Sequence, residues 1–205
     1  MLQNDKVILR DFLESDIEKR IYWETEATEW QMWDAPWEYE ALTEEEKERD
    51  LERYIEIMNK WVGIELPEDK KRSTFQIDIN NNEHTYIGWC NSYLIDDDYK
   101  FSNTGTKCTI GIDLPEACVR NKGYGSAALK LFITYLIENG EEAIYTQTWS
   151  GNVRMIALAR KLGFEECNRV LGVRLVRGAY YAALTFRLNL KKFNDLEISN
   201  GRDSR

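Results

Sequence analysis

The stretch Arg120-Asn121-Lys122-Gly123-Tyr124-Gly125 lies between a β-like run, residues 109–114, and a helix-like run that begins at Ser126. A glycine-rich turn that leads into a helix directs several backbone N–H groups at one point. Together with the positive end of the helix dipole, these groups form an anion site that most often holds phosphate. The glycines allow close approach of a ligand, because no Cβ stands in the way.

Two types of phosphate loop and one turn without a ligand compete for this pattern. A Walker loop is excluded, because Gly125 is followed by Ser126-Ala127 and not by Lys-Ser/Thr. The dinucleotide fingerprint fits formally through Gly123, Gly125 and Ala128, but the next predicted strand, 143–149, carries no acid to hold a ribose. A glycine turn that merely caps a core helix is the alternative without a ligand.

A second motif follows the loop at a fixed interval. Asn152 opens a helix-like segment that ends in Lys161-Leu162-Gly163-Phe164. The two motifs together resemble the pyrophosphate loop, Arg/Gln-x-x-Gly-x-Gly/Ala, and the second cofactor motif of the GNAT acyltransferase superfamily. The resemblance covers roughly residues 5 to 190. It is closest to the subgroup that includes ribosomal-protein N-terminal acetyltransferases and several small-amine acetyltransferases.

The fold that this resemblance implies is the α/β (α+β) GNAT fold. It has a central, mixed, mostly antiparallel twisted sheet of six to seven strands, flanked by about four helices. A chain of 205 residues suits one domain with a full-sized core. We therefore expect a single acetyltransferase domain over residues 1–190 and a polar C-terminal tail over 191–205.

Periodicity and end signals predict the individual elements. Helices are expected from Ser15 or Asp16 to about Glu26, from a capping box at Thr43 to about Lys60, and over 125–139 and 153–162. Strands are expected at 6–10, 74–79, 85–95, 107–114, 143–149, 170–177 and 183–190. The segment from Thr28 to Tyr39, in which tryptophans alternate with acids around a proline, is predicted to be a loop.

The resemblance implies acetyl-CoA as acyl donor and assigns residues to it. Backbone groups of Ile112, Asp113 and Leu114 would contact the pantetheine arm and polarise the thioester carbonyl. The amides of Arg120, Asn121, Lys122, Gly123, Tyr124, Gly125 and Ser126 would hold the pyrophosphate. The side chains of Arg120 and Lys122 are either phosphate partners or plain surface charges. Asn152 would contact the pantetheine arm, and a role as helix N-cap is equally compatible.

The aromatic-acidic segment is the candidate acceptor site. An amine must lose a proton before it attacks a thioester, so a carboxylate is expected nearby. Glu29 and Asp34 are the candidate bases. Trp30, Trp33, Trp37 and Glu38 are candidate substrate-binding residues, because rings and carboxylates together bind cations. The alternative is that the tryptophans form an edge of the core.

The charge distribution agrees with two ligands of opposite sign. Residues 14–69 hold 19 acids and 6 bases, whereas the remaining residues hold 17 acids and 21 bases. An acidic region suits a cationic substrate and a mildly basic region suits a phosphate-rich cofactor, although a solvated acidic helix face gives the same pattern. No basic stripe with interleaved aromatics occurs, which disfavours nucleic-acid binding.

Other classes of protein are disfavoured by composition. No apolar run approaches the ~20 residues of a membrane helix, and no signal pattern opens the chain, so we expect a cytoplasmic protein. Four cysteines without a C-x-x-C pair and one histidine argue against a metal site. The cysteines are expected to be free, buried or half-buried thiols.

The predicted function is an N-acetyltransferase that acts by direct attack of a primary amine on acetyl-CoA. The acceptor is a small cationic amine or a protein N-terminus, and the protein is a monomer or homodimer. Many relatives carry a tyrosine at the position of Ala159, where it protonates the leaving thiolate. The general acid is therefore unassigned, which leaves a non-catalytic acyl-CoA-binding sensor or scaffold as the alternative.

Overall fold

The computed structural model describes residues 1–64, 67 and 70–195. The strands are β1 (Leu2–Gln3), β2 (Val7–Arg10), β3 (Thr74–Ile79), β4 (Tyr86–Ile95), β5 (Lys107–Asp113), β6 (Ile144–Trp149), β7 (Phe164–Val176) and β8 (Ala179–Leu188). The α-helices are α1 (Asp16–Thr25), α2 (Pro36–Tyr39), α3 (Glu44–Trp61), α4 (Tyr124–Glu138) and α5 (Val153–Lys161). Short 3₁₀ helices occupy Thr28–Met32 and Ala117–Val119.

The described strands form one eight-stranded sheet in the order β1-β2-β3-β4-β5-β6-β8-β7. β5 and β6 are parallel, whereas β1–β2, β2–β3, β3–β4, β6–β8 and β7–β8 are antiparallel. The predicted fold class, a mixed and mostly antiparallel sheet with helices, is confirmed. The sheet has one strand more than the upper predicted number, because the two-residue β1 pairs with β2. So short a strand carries no alternating pattern in the sequence.

The chain divides into two compact units. The first contains Met1–Asn91 and Ile112–Leu131, and the second contains Ser92–Gly111 and Phe132–Arg205. The single domain over residues 1–190 stays a prediction. Almost all predicted site residues belong to the first unit, and Asn152 belongs to the second.

The helices of the first unit begin at the predicted signals. Thr43 forms the complete capping box at the start of α3: its hydroxyl accepts a hydrogen bond from the Glu46 N–H (3.3 Å), and Glu46 accepts one from the Thr43 N–H (2.8 Å). Ser15 precedes α1 but its side chain makes no capping bond. Instead, the Asp16 carboxylate accepts a hydrogen bond from the Leu13 N–H at 2.8 Å.

The segment Thr28 to Tyr39 contains two short helices joined by residues 33–35, so the prediction of a loop throughout is wrong. Thr28–Met32 forms a 3₁₀ helix, and α2 begins with Pro36 at a position where the missing N–H costs nothing. The Trp30 indole N–H donates to the Trp23 carbonyl oxygen at 2.9 Å and fixes the segment to α1. Tertiary packing of this tryptophan decides the conformation, which local propensity does not encode.

In the second unit, β7 and β8 form a longer hairpin than predicted. β7 begins at Phe164 and not at residue 170, and the turn consists of Arg177 and Gly178 alone. Both residues have left-handed backbone angles, φ 48° and 77°, as a two-residue turn between right-twisted strands requires. The predicted five-residue connection is wrong because an arginine in this conformation is not a recognisable turn signal.

The tail predicted from Lys191 begins with a helical stretch over residues 190–195. Phe193 in this stretch is 2% exposed. Its backbone nitrogen would lie 3.1 Å from a Cβ placed on Gly163, so the stretch packs against the end of α5. Residues 196–205 lie outside the described part of the chain.

The four cysteines are free thiols, as predicted. Cys90 and Cys108 are buried, whereas Cys118 and Cys167 are exposed and do not fit the prediction of buried or half-buried thiols. No α-helix within residues 1–64 and 70–195 has the length and hydropathy needed to cross a bilayer.

Candidate functional site

The predicted pyrophosphate loop leads directly into α4. Asn121 and Gly123 have left-handed backbone angles, φ 60° and 87°, and the helix begins at Tyr124. No described residue accepts a hydrogen bond from the backbone N–H groups of residues 121–126, and these residues are exposed or half-exposed. A turn with alternating left-handed residues before a helix makes a concave set of donors, which is the geometry of an anion site.

The Arg120 side chain turns away from solvent. Its Nε donates to the Leu114 carbonyl oxygen at 2.8 Å, its Nη2 donates to the Pro115 carbonyl oxygen, and its Nη1 pairs with the Glu29 carboxylate. Arg120 therefore holds the loop to the end of β5 and to the segment before α2. Of the two interpretations for this arginine, the geometry favours a structural role over a phosphate partner, while Lys122 remains exposed.

Lys6 is a cation at the loop that sequence analysis missed. Its Nζ lies 3.0 Å from the point that a Cβ on Gly123 would occupy. Lys6 is exposed, so its ammonium group is accessible to a ligand. Nothing in the sequence links a lysine before β2 to a glycine loop this far along the chain, because only the tertiary fold brings them together.

The end of β5 approaches the backbone of β4 closely. A Cβ on Gly88 would lie 2.0 Å from the Asp113 carbonyl oxygen, so any side chain at position 88 would push the two strands apart. The β3–β4 register shifts here: Ile77 pairs with Gly88 and Asp78 with Tyr86. This leaves Ile87 as an extra residue and bends β4 next to residues 112–114.

Four carboxylates and a tyrosine form an acidic cluster in the first unit. The acidic cluster consists of Glu24, Asp34, Glu38, Asp113 and Tyr39, whose charges act on one another. Asp34 and Glu38 were predicted from the sequence, whereas Glu24 and Tyr39 were missed. Asp113 was predicted only through its backbone, and the structure adds its side chain to this cluster.

The acidic cluster changes the proton affinity of its members. The pKa of Asp34 is raised to about 6, mainly because surrounding protein displaces water from the carboxylate and secondarily because Glu38 is negative. The pKa of Asp113 is raised well above its usual value by burial and then by Asp34, with Arg20 opposing the rise. The pKa of Tyr39 is also raised, first by burial and then by Asp34.

Asp34 is exposed and Glu24 and Asp113 are half-buried, and the surrounding protein raises the pKa of each of the three carboxyl groups. The pKa of Asp34, about 6, leaves its carboxylate mostly ionised at neutral pH, which suits proton abstraction from an amine.

Glu29, the other candidate base, lies in a different environment. Its carboxylate pairs with Arg120 and accepts a hydrogen bond from the Trp33 indole N–H at 2.7 Å. Each of its two oxygens accepts one of these bonds, and the pairing with Arg120 stabilises the ionised form, so Glu29 is less available to a substrate proton than Asp34. The geometry therefore favours Asp34 of the two.

The three tryptophans divide between the core and the surface. Trp30 is 5% exposed and packs with Trp23 and Trp89, its ring centroid 5.3 Å from that of Trp89. The Trp30 indole is buried in the core, as the alternative interpretation expected. Its burial does not support direct contact with a substrate. Trp33 and Trp37 are half-buried and remain candidates for substrate binding.

Asn152 is the predicted cofactor residue of the second unit. Its side-chain oxygen accepts a hydrogen bond from the Met155 N–H at 3.0 Å and caps α5, which is the N-cap role that the sequence allowed. Contact with the pantetheine arm stays a prediction. Ala159 on the same helix is fully buried, so no hydroxyl replaces the tyrosine at that position. Within residues 1–64 and 70–195, no group of three or more His, Cys, Asp or Glu side chains is arranged to hold a metal ion.

Comparisons with known proteins give a consistent picture of the fold. The family model described as "Acetyltransferase (GNAT) domain" matches residues 6–165. Among curated protein sequences, none matches the chain. A GNAT-family acetyltransferase from Bacillus anthracis has 17% identity and a TM-score of 0.64, covering 92% of this chain and 98% of that chain.

Two further structures are similar at comparable levels. RimL, a ribosomal L7/L12 α-N-protein acetyltransferase in complex with coenzyme A, has 15% identity and a TM-score of 0.61, covering 91% of this chain and 97% of that chain. A chimera of the spermidine N-acetyltransferase SpeG from Vibrio cholerae with hSSAT has 13% identity and a TM-score of 0.60, covering 92% and 98%. At these identities the similarity concerns the fold alone.

Proposed function

The chain belongs to the GNAT acetyltransferase family, and from this premise we propose that it transfers the acetyl group of acetyl-CoA to a primary amine. The observation that carries the proposal is the loop before α4, where the amides of residues 121–126 have no partner among the described residues and Asn121 and Gly123 have left-handed backbone angles. Such a loop suits the pyrophosphate of coenzyme A. The RimL structure contains coenzyme A, which supports this cofactor by analogy.

Cofactor binding would use three groups of the first unit. The loop amides would hold the pyrophosphate, and Lys6 beside Gly123 would add a positive charge to them. The backbone of Ile112 to Leu114 would contact the pantetheine arm, since Gly88 keeps this stretch free of a neighbouring side chain.

The chemical step would be direct attack of the amine nitrogen on the thioester carbon, which gives the amide and the coenzyme A thiolate. Asp34 would accept the proton that the amine loses, because its pKa near 6 leaves it ionised at neutral pH and basic enough to act. The thiolate would take a proton from solvent, since a free thiol has a pKa of about 8.5. Holding amine and thioester together would supply much of the rate.

The acceptor is either a small cationic amine or a peptide N-terminus. The names of RimL and SpeG support one class each. The acidic cluster would attract the positive charge of both. We propose a cytoplasmic location, and a monomer or a homodimer.

Calorimetry with a pair of glycine variants tests the cofactor site. Gly123 and Gly140 both have left-handed backbones, φ 87° and 88°, but only Gly123 lies in the loop. Gly123→Asp places a carboxylate among the phosphate-binding amides and should abolish acetyl-CoA binding, whereas Gly140→Asp bears a comparable backbone strain and should bind normally. Equal affinity in the two variants would remove the loop from the cofactor site.

A non-catalytic acyl-CoA binder remains the second candidate, because Ala159 is buried and no tyrosine takes its place on α5. Thiol release measured with polyamines, aminoglycosides, amino acids and N-terminal peptides separates the two functions. Turnover with any of these amines supports the enzyme. Tight binding of acetyl-CoA without turnover across the panel supports the binder.

A further inference from the structure

Arg20 is the unusual residue in the first unit. It is 2% exposed, and its Nε and Nη1 atoms are the buried side-chain atoms of the described chain that have no hydrogen-bond partner. Buried donors are nearly always satisfied, and a buried charge without a partner is costly. An arginine held in this state, close enough to Glu24 and Asp113 for its charge to act on both, calls for a partner that the protein itself does not supply.

The surroundings fix the guanidinium in place. Its central carbon lies 3.3 Å from the centroid of the Trp89 ring, and Nη2 donates a long hydrogen bond of 3.4 Å to Gln76. The Gln76 oxygen also accepts from the Tyr86 hydroxyl at 2.6 Å, so this acceptor is shared. Stacking and one weak hydrogen bond orient Arg20 but leave two of its donor groups unused.

The acidic cluster does not neutralise Arg20 by contact. The charge of Arg20 lowers the pKa of both Glu24 and Asp113, but neither carboxylate forms an ion pair with it within 4.0 Å. Glu24, Asp113 and the neighbouring Tyr54, whose ring centroid lies 6.0 Å from the guanidinium, are half-buried, so solvent reaches part of each of these side chains.

We propose that the acceptor is a zwitterion, a small amine that also carries a carboxylate, in which Arg20 binds the carboxylate while Asp34 and its neighbours hold the amine. The proposal rests on the function proposed above. An acceptor with only positive charges would satisfy the acids and leave Arg20 unpaired beside a second cation. A zwitterion compensates both signs of charge in one pocket.

Kinetics with matched acceptors test this proposal. Glycine, β-alanine and γ-aminobutyrate place the carboxylate at increasing distance from the amine, and the corresponding alkylamines replace the carboxylate by a methyl group. At least one amino acid should exceed its alkylamine at least tenfold in kcat/KM. The corresponding carboxamides are the third arm, which separates recognition of an anion from recognition of any carbonyl oxygen.

Variants of Arg20 connect the selectivity to this residue. Arg20→Gln should abolish the preference for the amino acid over its alkylamine, and Arg20→Lys should restore part of that preference. Both variants are first checked by thermal melting. Binding of the same amino acids to the coenzyme A-loaded wild-type protein, measured by calorimetry, gives a readout that does not depend on turnover or on a variant.

The outcomes separate this proposal from the proposed function. Faster turnover of alkylamines or diamines than of every amino acid would overturn the zwitterion and keep the acetyltransferase. Equal selectivity in wild type and Arg20→Gln would overturn the role of Arg20, and ordered water would then satisfy its donors. Binding of coenzyme A without turnover of any amine contradicts the enzyme, and the calorimetric comparison still decides whether a carboxylate-bearing amine is bound.

Discussion

Two arginines of the first unit, the half-buried Arg10 and the buried Arg20, have opposite environments. Arg10 forms paired hydrogen bonds with the carboxylates of both Asp16 (2.7 and 2.8 Å) and Asp78 (2.6 and 2.9 Å). Arg20, on α1, contacts aromatic rings and one shared amide oxygen but no carboxylate. A side chain whose donors are all used serves the fold, whereas one that keeps unused donors in a pocket is available to a ligand.

The difference extends from the arginines to the acids around them. Asp16 and Asp78 face a guanidinium directly, and their side chains are 3% and 4% exposed. Burial raises the pKa of both Asp34 and Asp113, and the charge of Asp34 raises the pKa of Asp113 further. We therefore distinguish a closed ion cluster, formed by Arg10, Asp16 and Asp78, from the open acidic cluster.

The largest expected effect comes from breaking the closed ion cluster. Arg10→Leu leaves Asp16 and Asp78 buried without a cation and should lower the free energy of unfolding by about 3–5 kcal/mol. Urea denaturation at pH 7 measures this loss. The loss should become smaller as the pH falls, because burial raises the pKa of Asp78 and a protonated Asp78 needs no cation. A loss under about 1 kcal/mol at pH 7 would contradict the structural role.

The next effect concerns activity and the open acidic cluster. Asp34→Asn removes the proposed base and should lower kcat at least about a hundredfold, while acetyl-CoA affinity and thermal stability change little. Glu29→Gln is the matched control, because Glu29 is paired with Arg120 and should cost only a few-fold. If the two variants lose activity equally, Asp34 is not the base.

The pH dependence of wild-type kcat/KM sharpens the assignment. Asp34 must be ionised to act, and its pKa is raised to about 6. Activity should therefore fall about tenfold for each pH unit below 6 and level off above about 7. The Asp34→Asn variant should be slower and should not show this fall in kcat/KM below pH 6. A wild-type limb near pH 4 would assign the reaction to an unperturbed carboxylate.

The smallest expected effect is on stability at Arg20. Arg20→Leu removes a buried charge that has no ion-pair partner, so the free energy of unfolding should change by less than about 1 kcal/mol or increase. The contrast with Arg10→Leu in the same urea experiment tests the comparison directly. A loss of several kcal/mol would place Arg20 among the structural residues.

The sequence predicts most of the fold because its signals are local. The capping box at Thr43, the alternation in residues 74–79 and Gly140 at the end of α4 each reflect interactions within a few residues. The predictions fail where the conformation depends on distant groups. Trp30 folds the segment after α1 by packing on Trp89, and left-handed Arg177 shortens the hairpin turn between β7 and β8.

The sequence by itself also determined the prediction of the backbone part of the candidate site. Residues 120–126 predict an anion site because glycine spacing and a helix start orient amides locally. The rest is decided by tertiary structure, since a charge acts through space and its partners come from separate elements. Lys6 beside Gly123, Asp113 beside Asp34, and Arg20 without a carboxylate in contact exist only once β2, α1 and the end of β5 have been brought together.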